Sequence, residues 1–205
     1  MGFAARQDQW DALSVSRETL DKLQAYANLL EKWQRRINLV SKLTLPDLWT
    51  RHMLDSAQIF PHLPKNCKSL VDIGCGAGFP GLVLAIMGIE DVHMVDSDAR
   101  KMAFVREASR ITETPVTIHN CRIDDLDETL KFDVVTSRAL APLEKLLGFS
   151  QALSKPEGIS IYLKGRKCQE EVLEAQKSWD FDFQGEASLS DPEGQLLIIK
   201  RMTRL

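Results

Sequence analysis

Asp72 stands two residues ahead of glycines at 74, 76 and 78, and the run continues Phe79-Pro80-Gly81. The residues around that acid, Leu70-Val71-Asp72-Ile73, form a short apolar run, so the glycines fall on a turn between a strand and a helix. Glycine there opens backbone conformations closed to other residues and removes side chains that would block a ligand. A phosphate-cradling loop would read from Gly76 to Gly81 and then Lys and Ser or Thr, but Leu82 and Val83 follow, so the phosphate-binding charge is missing. The dinucleotide fingerprint needs its third glycine at 79; Phe79 is there and Gly78 comes one residue early. Both phosphate readings weaken. A second acid, Asp96, ends the apolar run 92–95, near the roughly 20-residue offset at which a carboxylate meets ribose hydroxyls. The plainer alternative makes 74–81 a tight turn and Asp96 a helix cap; the agreement of the glycines, Asp72 and Asp96 on one site favours a ligand.

These residues need a sheet to present them. Strand-like runs at 70–73, 92–95, 116–119, 132–136 and 159–164 alternate with helical ones at 82–87, 98–111 and 143–153. That alternation predicts an α/β fold whose parallel strands carry the ligand at their carboxyl ends. Upstream, Leu20, Leu23, Ala27, Leu30 and Ile37 recur near the helical period, which predicts a helix over 16–39 capped by Ser16. A second helical piece should run from Pro46 to about Phe60, broken by Pro61 and Pro64. The division is therefore an N-terminal helical extension, 1–64, and a core, 65–205, in a single globular unit. After a helix near 170–177, the segments 181–184 and 196–200 flank Ser190-Asp191-Pro192-Glu193-Gly194 and read as a closing antiparallel hairpin.

The acid ahead of a Gly-x-Gly-x-Gly turn resembles motif I of S-adenosylmethionine-dependent methyltransferases with a Rossmann-like fold. Further segments narrow the resemblance: 33–40 (Trp-Gln-Arg-Arg-Ile-Asn-Leu-Val), 52–56 (His-Met-Leu-Asp-Ser), 71–81, Val95-Asp96-Ser97 with Lys101, 132–139 (Phe-Asp-Val-Val-Thr-Ser-Arg-Ala) and Leu163-Lys164-Gly165. Together they resemble the RsmG (GidB) family, bacterial enzymes that methylate guanine N7 in small-subunit (16S) ribosomal RNA. The resemblance implies a mostly parallel seven-stranded sheet with an antiparallel C-terminal hairpin. It implies S-adenosyl-L-methionine as cofactor, with S-adenosyl-L-homocysteine as product. It places the cofactor on Asp72, Gly74, Gly76, Gly78, Phe79, Asp96, Ile123, Asp124 and Arg138, with Asp72 at the amino-acid end and Asp96 at the ribose. Where an acid, usually glutamate, is expected at the adenine end, this chain reads Arg122-Ile123-Asp124, which keeps the carboxylate on a shorter arm.

Guanine N7 carries an in-plane lone pair, so the reaction needs placement and no general base. Arg138 and Lys164, both at carboxyl ends of expected strands, are the candidate groups for positioning guanine O6 or a nearby phosphate. The ordinary alternatives are that Arg138 pairs with a pocket acid and that Lys164 is a solvated strand end.

Charge argues against binding of RNA through general backbone attraction, because the net charge is -3 and the pI is near 5.8. Local clusters soften that: Lys32, Arg35, Arg36, Lys42 and Arg51 in the extension, Lys164, Arg166 and Lys167, and Lys200, Arg201 and Arg204. Arg35, Arg36, Arg51, His52, Arg166 and Arg201 are the candidates for RNA contact, although His52 and Asp55, one helical turn apart, also suit an intrahelical pair. The expected partner is a shaped particle, the small ribosomal subunit. No apolar run approaches the roughly 20 residues that span a bilayer, and the start 1–10 is polar, so a cytoplasmic monomer is expected. The four cysteines form no Cys-x-x-Cys pair, so no metal site is expected. Two rivals stay open: a methyltransferase of a small molecule, and a nicotinamide-dependent oxidoreductase or nucleotide-binding module.

Overall fold

The computed structural model describes residues 7–205; of the polar start, residues 1–6 lie outside the described residues. Seven strands, β1 (Ser69–Ile73), β2 (Asp91–Val95), β3 (Thr117–His119), β4 (Phe132–Arg138), β5 (Ser154–Lys164), β6 (Trp179–Ala187) and β7 (Gln195–Arg204), form one sheet. Their order is β3-β2-β1-β4-β5-β7-β6. The first five are parallel, and β7 runs antiparallel to both β5 and β6, as the resemblance implied. The helices are α1 (Gln7–Ala12), α2 (Arg17–Gln34), α3 (Asp55–Ala57), α4 (Gly81–Ile86), α5 (Ala99–Ile111), α6 (Leu143–Leu153) and α7 (Cys168–Ala175).

Successive strand residues enter opposite cores, as a pleat requires. Val134 and Ile161 pack in one core with Leu23, Leu30 and Leu82, while their neighbours Val135 and Tyr162 pack in the other with Leu146 and Val172. With both faces covered, β1 is buried at every position. The first core also joins Trp10 and Tyr26 of the N-terminal helices to Phe79 and Leu82.

Two expectations fail locally. Ser16 does cap α2, accepting from Thr19 N at 3.1 Å, but the helix ends at Gln34 rather than 39. The Gln34 side chain stops it: Oε1 accepts from the Leu39 and Val40 amides at 2.9 and 3.1 Å, and Nε2 donates to the Val40 carbonyl at 2.8 Å. The turn buries Leu39 and Val40, which a continuing helix would carry past the core. The second helical piece is irregular: 3₁₀ at Leu45–Asp47, π at Trp49–Leu54, then α3 and 3₁₀ again at Phe60–His62. Pro61 sits at an early position of that last turn, where its missing N–H costs little, so it does not break the stretch.

The amino ends of three strands meet at Asp133. Its Oδ2 accepts from the amides of Lys68 and Ser69 at 3.0 and 2.9 Å, and its Oδ1 accepts from Lys155 Nζ at 2.7 Å. Burial alone would raise this carboxyl; the Lys155 ammonium and the amide donors outweigh it and hold it at about 2, against 3.8. A depressed folded-state pKa gives stability that is present above the unfolded value and lost as pH falls from about 4 to about 2. Asp133→Asn should therefore lower the urea midpoint at pH 7, and the gap from wild type should narrow below pH 4. A gap that stays constant to pH 3 contradicts the assignment.

Candidate active site

In strand order, β1 lies between β2 and β4, so the connections leaving it part to opposite sides and a crevice opens at the carboxyl ends. The loop after β1 lines it. Gly74, Gly76 and Gly78 take φ of +69°, +54° and +96°, the left-handed region glycine enters without penalty. The amides of Gly74 and Cys75 donate to the Val95 carbonyl at 2.9 and 3.0 Å, and Gly76 N donates to Asp96 Oδ2 at 2.9 Å. Asp96 Oδ1 accepts from Asp98 N at 2.8 Å. A carboxylate offers about four lone-pair sites, so Asp96 can hold this loop and still accept from a ligand. It lines two adjacent cavities. One, of about 280 Å³, is lined by the loop, Phe79, Lys101 and Arg138; the other, of about 190 Å³, by Ser97, Ile123, Asp124 and Phe149. Leu140 lines both, and a Cβ at Gly74 would come within 2.6 Å of its Cδ1. Taken together, these two adjacent compartments reach the size of a ligand site, and with backbone on one side and the Asp96 carboxylate lining both they fit an adenosine carrying an amino-acid tail.

Asp72 does not line either cavity. It is fully buried, its Oδ2 accepts from Gly81 N at 2.8 Å, and its Oδ1 has no hydrogen-bond partner. Burial pushes its carboxyl up to about 7 against the Gly81 bond and the Arg138 cation. The expected seat for a cofactor ammonium is thus corrected: Asp72 holds the start of α4. Gly78 likewise faces inward, where a Cβ would lie 2.8 Å from the Tyr26 hydroxyl. Tyr26 donates to the Ala77 carbonyl and stacks on Phe79 with ring centroids 5.2 Å apart. Tyr26→Phe leaves that buried carbonyl without its donor, a loss of about 1–3 kcal/mol. The expected result is a lower melting temperature together with several-fold weaker cofactor binding by calorimetry. Unchanged binding would mean that Tyr26 does not set the loop.

Arg138 ends β4 and is tied down on three sides. It donates to the Arg51 carbonyl at 3.1 Å, to Asp55 Oδ2 at 3.3 Å and to His52 Nδ1 at 2.8 Å, and its guanidinium lies 5.0 Å from the Phe79 ring centroid. Since His52 Nδ1 accepts, its Nε2 carries the proton and donates to Thr44 Oγ1 at 2.8 Å. Burial, then the Arg138 and Arg51 charges, push this imidazole down to about 3, so it is neutral at physiological pH. Asp55 Oδ1 accepts from Gln58 Nε2 at 3.0 Å and from the Ser190 hydroxyl, and Arg51 pairs with Asp191 at 2.8 Å. The extension, the end of β4 and the β6–β7 turn thereby close around a third cavity of about 660 Å³, to which Arg138 and Leu140 also contribute.

Lys164 lines that larger cavity but is neither free nor solvated. Its side chain is 8 % exposed, paired with Glu171 at 2.6 Å and bonded to the Ala141 carbonyl at 3.0 Å, so it braces the turn after Ala139. His52, an expected RNA contact, is buried among these groups and acts as a strut. Arg35, Arg36 and Arg166 are exposed. Arg201 pairs with Asp182 and lines a cavity at the amino end of β5; β7 is antiparallel to β5, so residues beyond Ile199 run away from the site. Tyr26, Leu140 and Glu171 escaped the sequence reading as site residues, and Ser190 reads there only as part of the hairpin turn. Of the first three, only Tyr26 left a trace, a polar tip among Leu23, Ala27 and Leu30 that needs a buried partner.

The family model described as rRNA small subunit methyltransferase G matches residues 19–198. The chain is 53% identical over 190 residues to the ribosomal RNA small subunit methyltransferase G of Paramagnetospirillum magneticum, covering 93% of this chain and 92% of that protein. It is 48% identical over 192 residues to the protein of the same name from Parvibaculum lavamentivorans, covering 91% and 85%. Among solved structures, the ribosomal protein L11 methylase of Lactobacillus delbrueckii aligns with TM-score 0.61 at 17% identity, over 72% of this chain and 76% of that one. M. jannaschii TYW2 in complex with AdoMet aligns with TM-score 0.57 at 15% identity, over 83% and 80%. The structural likenesses are of fold alone.

Proposed function

Because the chain belongs to the rRNA small subunit methyltransferase G family, we propose that it transfers a methyl group from S-adenosyl-L-methionine to N7 of one guanine in small-subunit ribosomal RNA. It is an S-adenosylmethionine-dependent rRNA methyltransferase; the atom and the base are the finer reading. The observation that carries this reading is that Arg138 and Leu140 line both the cofactor-sized crevice and the 660 Å³ cavity, so that a donor and a base meet at one wall.

When bound, S-adenosylmethionine supplies a methyl group on a sulfonium, which the N7 lone pair takes in line as the C–S electron pair returns to sulfur. In this reading Asp96 holds the ribose, Ile123 and Asp124 the adenine end, and the backbone at Gly74 and Gly76 with Phe79 the amino-acid end. Asp72 and Gly78 support that backbone from behind. No side chain need remove a proton, which suits His52, whose two ring nitrogens are engaged by Arg138 and Thr44, and Arg138, held by three acceptors. Arg138 positions the base, and Lys164 does so through the turn it braces. S-adenosyl-L-homocysteine would be the cofactor product.

In the extension, 1–64, residues 39–55 then wall the acceptor cavity, and 65–205 serves as the catalytic core. Arg35, Arg36, Arg51 and Arg166 are the proposed phosphate contacts, Arg51 after release from Asp191. The partner is the small subunit, met in the cytoplasm by a monomer. No helix among the described residues is long and apolar enough to cross a membrane. The test is methyl-labelled cofactor with small subunits from cells lacking the modification, beside naked small-subunit RNA. Label in the subunit RNA is expected. Bound cofactor with no label in either RNA would move the acceptor to a small molecule.

A further inference from the structure

We propose that Asp55 is a positioning residue for methyl transfer, which fixes the Arg138 guanidinium at the wall between the two clefts and cancels its charge there; this rests on the reading of those clefts as donor and acceptor sites. Arg138 is largely buried, with 18% of its side chain exposed, and the carboxylate beside it is Asp55, at 3.3 Å and 14% exposed. The remaining acceptors of Arg138 are neutral, a carbonyl and an imidazole. The other cation at this corner, Arg51, has its own partner in Asp191. Asp55 is therefore the carboxylate in contact with Arg138 at this wall, in front of the buried Asp72, whose carboxyl also feels the Arg138 charge.

That pairing matters for this ligand. A sulfonium ion is a cation, and bringing it beside an unopposed guanidinium costs more than bringing in the uncharged thioether of the product. Transfer moves this positive charge from sulfur to N7 without adding to it, and N7 keeps it in the product. An anion fixed behind Arg138 favours both states. Asp55 also has a geometric task. Its Oδ2 takes Arg138, while Oδ1 takes Gln58 and the Ser190 hydroxyl of the β6–β7 turn, so one carboxylate keeps the acceptor cavity closed on the side of the hairpin.

The two tasks separate by substitution. In Asp55→Asn the charge is lost, and the amide nitrogen must face either Arg138 or the Gln58 and Ser190 donors, so one set of bonds goes with it. Calorimetry should show affinity for S-adenosylmethionine falling about tenfold more than affinity for S-adenosylhomocysteine, with the rate of transfer down further still. Asp55→Glu restores the charge on a longer arm, so the ratio of the two affinities should recover while the rate stays depressed. In an Arg138→Gln background, Asp55→Asn should no longer change the ratio. Equal losses for both ligands in Asp55→Asn, or a ratio effect that persists without Arg138, would overturn the proposal. Should Asp55→Asn melt below the assay temperature, Arg138→Gln alone carries the test: with Asp55 left unopposed the ratio should rise, and an unchanged ratio overturns the idea. Wild-type protein that binds no S-adenosylmethionine would sink the underlying reading instead. Wild type that binds and transfers, with Asp55→Asn identical to it, sinks only the role of Asp55.

Discussion

Asp96→Ala is expected to lower affinity for S-adenosylmethionine and S-adenosylhomocysteine alike by two to three orders of magnitude, while the protein remains folded. Three sets of interactions end at this carboxylate. Two are visible, the bonds from Gly76 N at 2.9 Å and Asp98 N at 2.8 Å, which set the loop and the approach to α5. The third is the pair of ribose hydroxyls assigned to its remaining lone pairs. Hydrogen bonds to a charged group contribute roughly 1.5–3 kcal/mol each, and about 1.4 kcal/mol is tenfold in affinity, so loss of two such bonds accounts for the effect before any loop movement is counted. Asp96→Asn should fare little better, because its amide nitrogen must face one of two backbone N–H donors. Both ligands carry the same ribose, so the loss should be equal for the two, unlike the loss in Asp55→Asn. Calorimetric affinities within threefold of wild type would contradict the assignment of Asp96 to the ribose.

Gly81→Ala should have the largest effect on the fold. A Cβ there would lie 2.6 Å from the Met94 sulfur, 2.7 Å from Asp72 Cβ and 2.9 Å from Asp72 Oδ2. Met94 can shift, but Asp72 Cβ belongs to a fully buried strand. The overpacking costs roughly 1–3 kcal/mol, and breaking the bond from Gly81 N takes from the buried Asp72 the donor to its Oδ2, a further roughly 1–3 kcal/mol. For a chain of this size each kcal/mol moves the melting temperature by about 2–4 °C, so a drop on the order of 10 °C is expected. Gly76→Ala is the control. Nothing lies within 4 Å of its added Cβ, so it carries only the left-handed strain of about 1–2 kcal/mol. A Gly81→Ala protein that melts with the Gly76→Ala protein would show that the two turn glycines serve the same end.

Much of this site was legible in one dimension. The spacing of Asp72, the glycines and Asp96 names a loop and the strand beside it, because both are local in a βαβ unit. Leu143–Leu153 emerges with its expected bounds, since an amphipathic period over a full helix leaves little choice. The errors share a cause. Asp72 reads as a ligand residue because its sequence neighbours say nothing of Gly81 N, which the turn folds back onto it. Lys164 reads as a solvated strand end or a substrate group because Glu171 approaches only through α7. His52 and Asp55 read as an intrahelical pair, yet their partners are Arg138 and Ser190, far along the chain. The early end of α2 has the same origin: a glutamine at the end of an apolar face gives no warning that it will turn back over its own carboxyl terminus.

The central claim is that guanine N7 is the methyl acceptor. Its most direct test is to label small subunits lacking the modification with methyl-labelled S-adenosylmethionine and this protein, digest the RNA, and identify the labelled nucleoside by mass spectrometry. The account predicts label in 7-methylguanosine alone. Label on an exocyclic nitrogen or a ribose oxygen would contradict it, because those acceptors must lose a proton and nothing in the arrangement of Arg138, His52 and Asp55 is placed to remove one; label on any other ring atom would contradict the choice of N7.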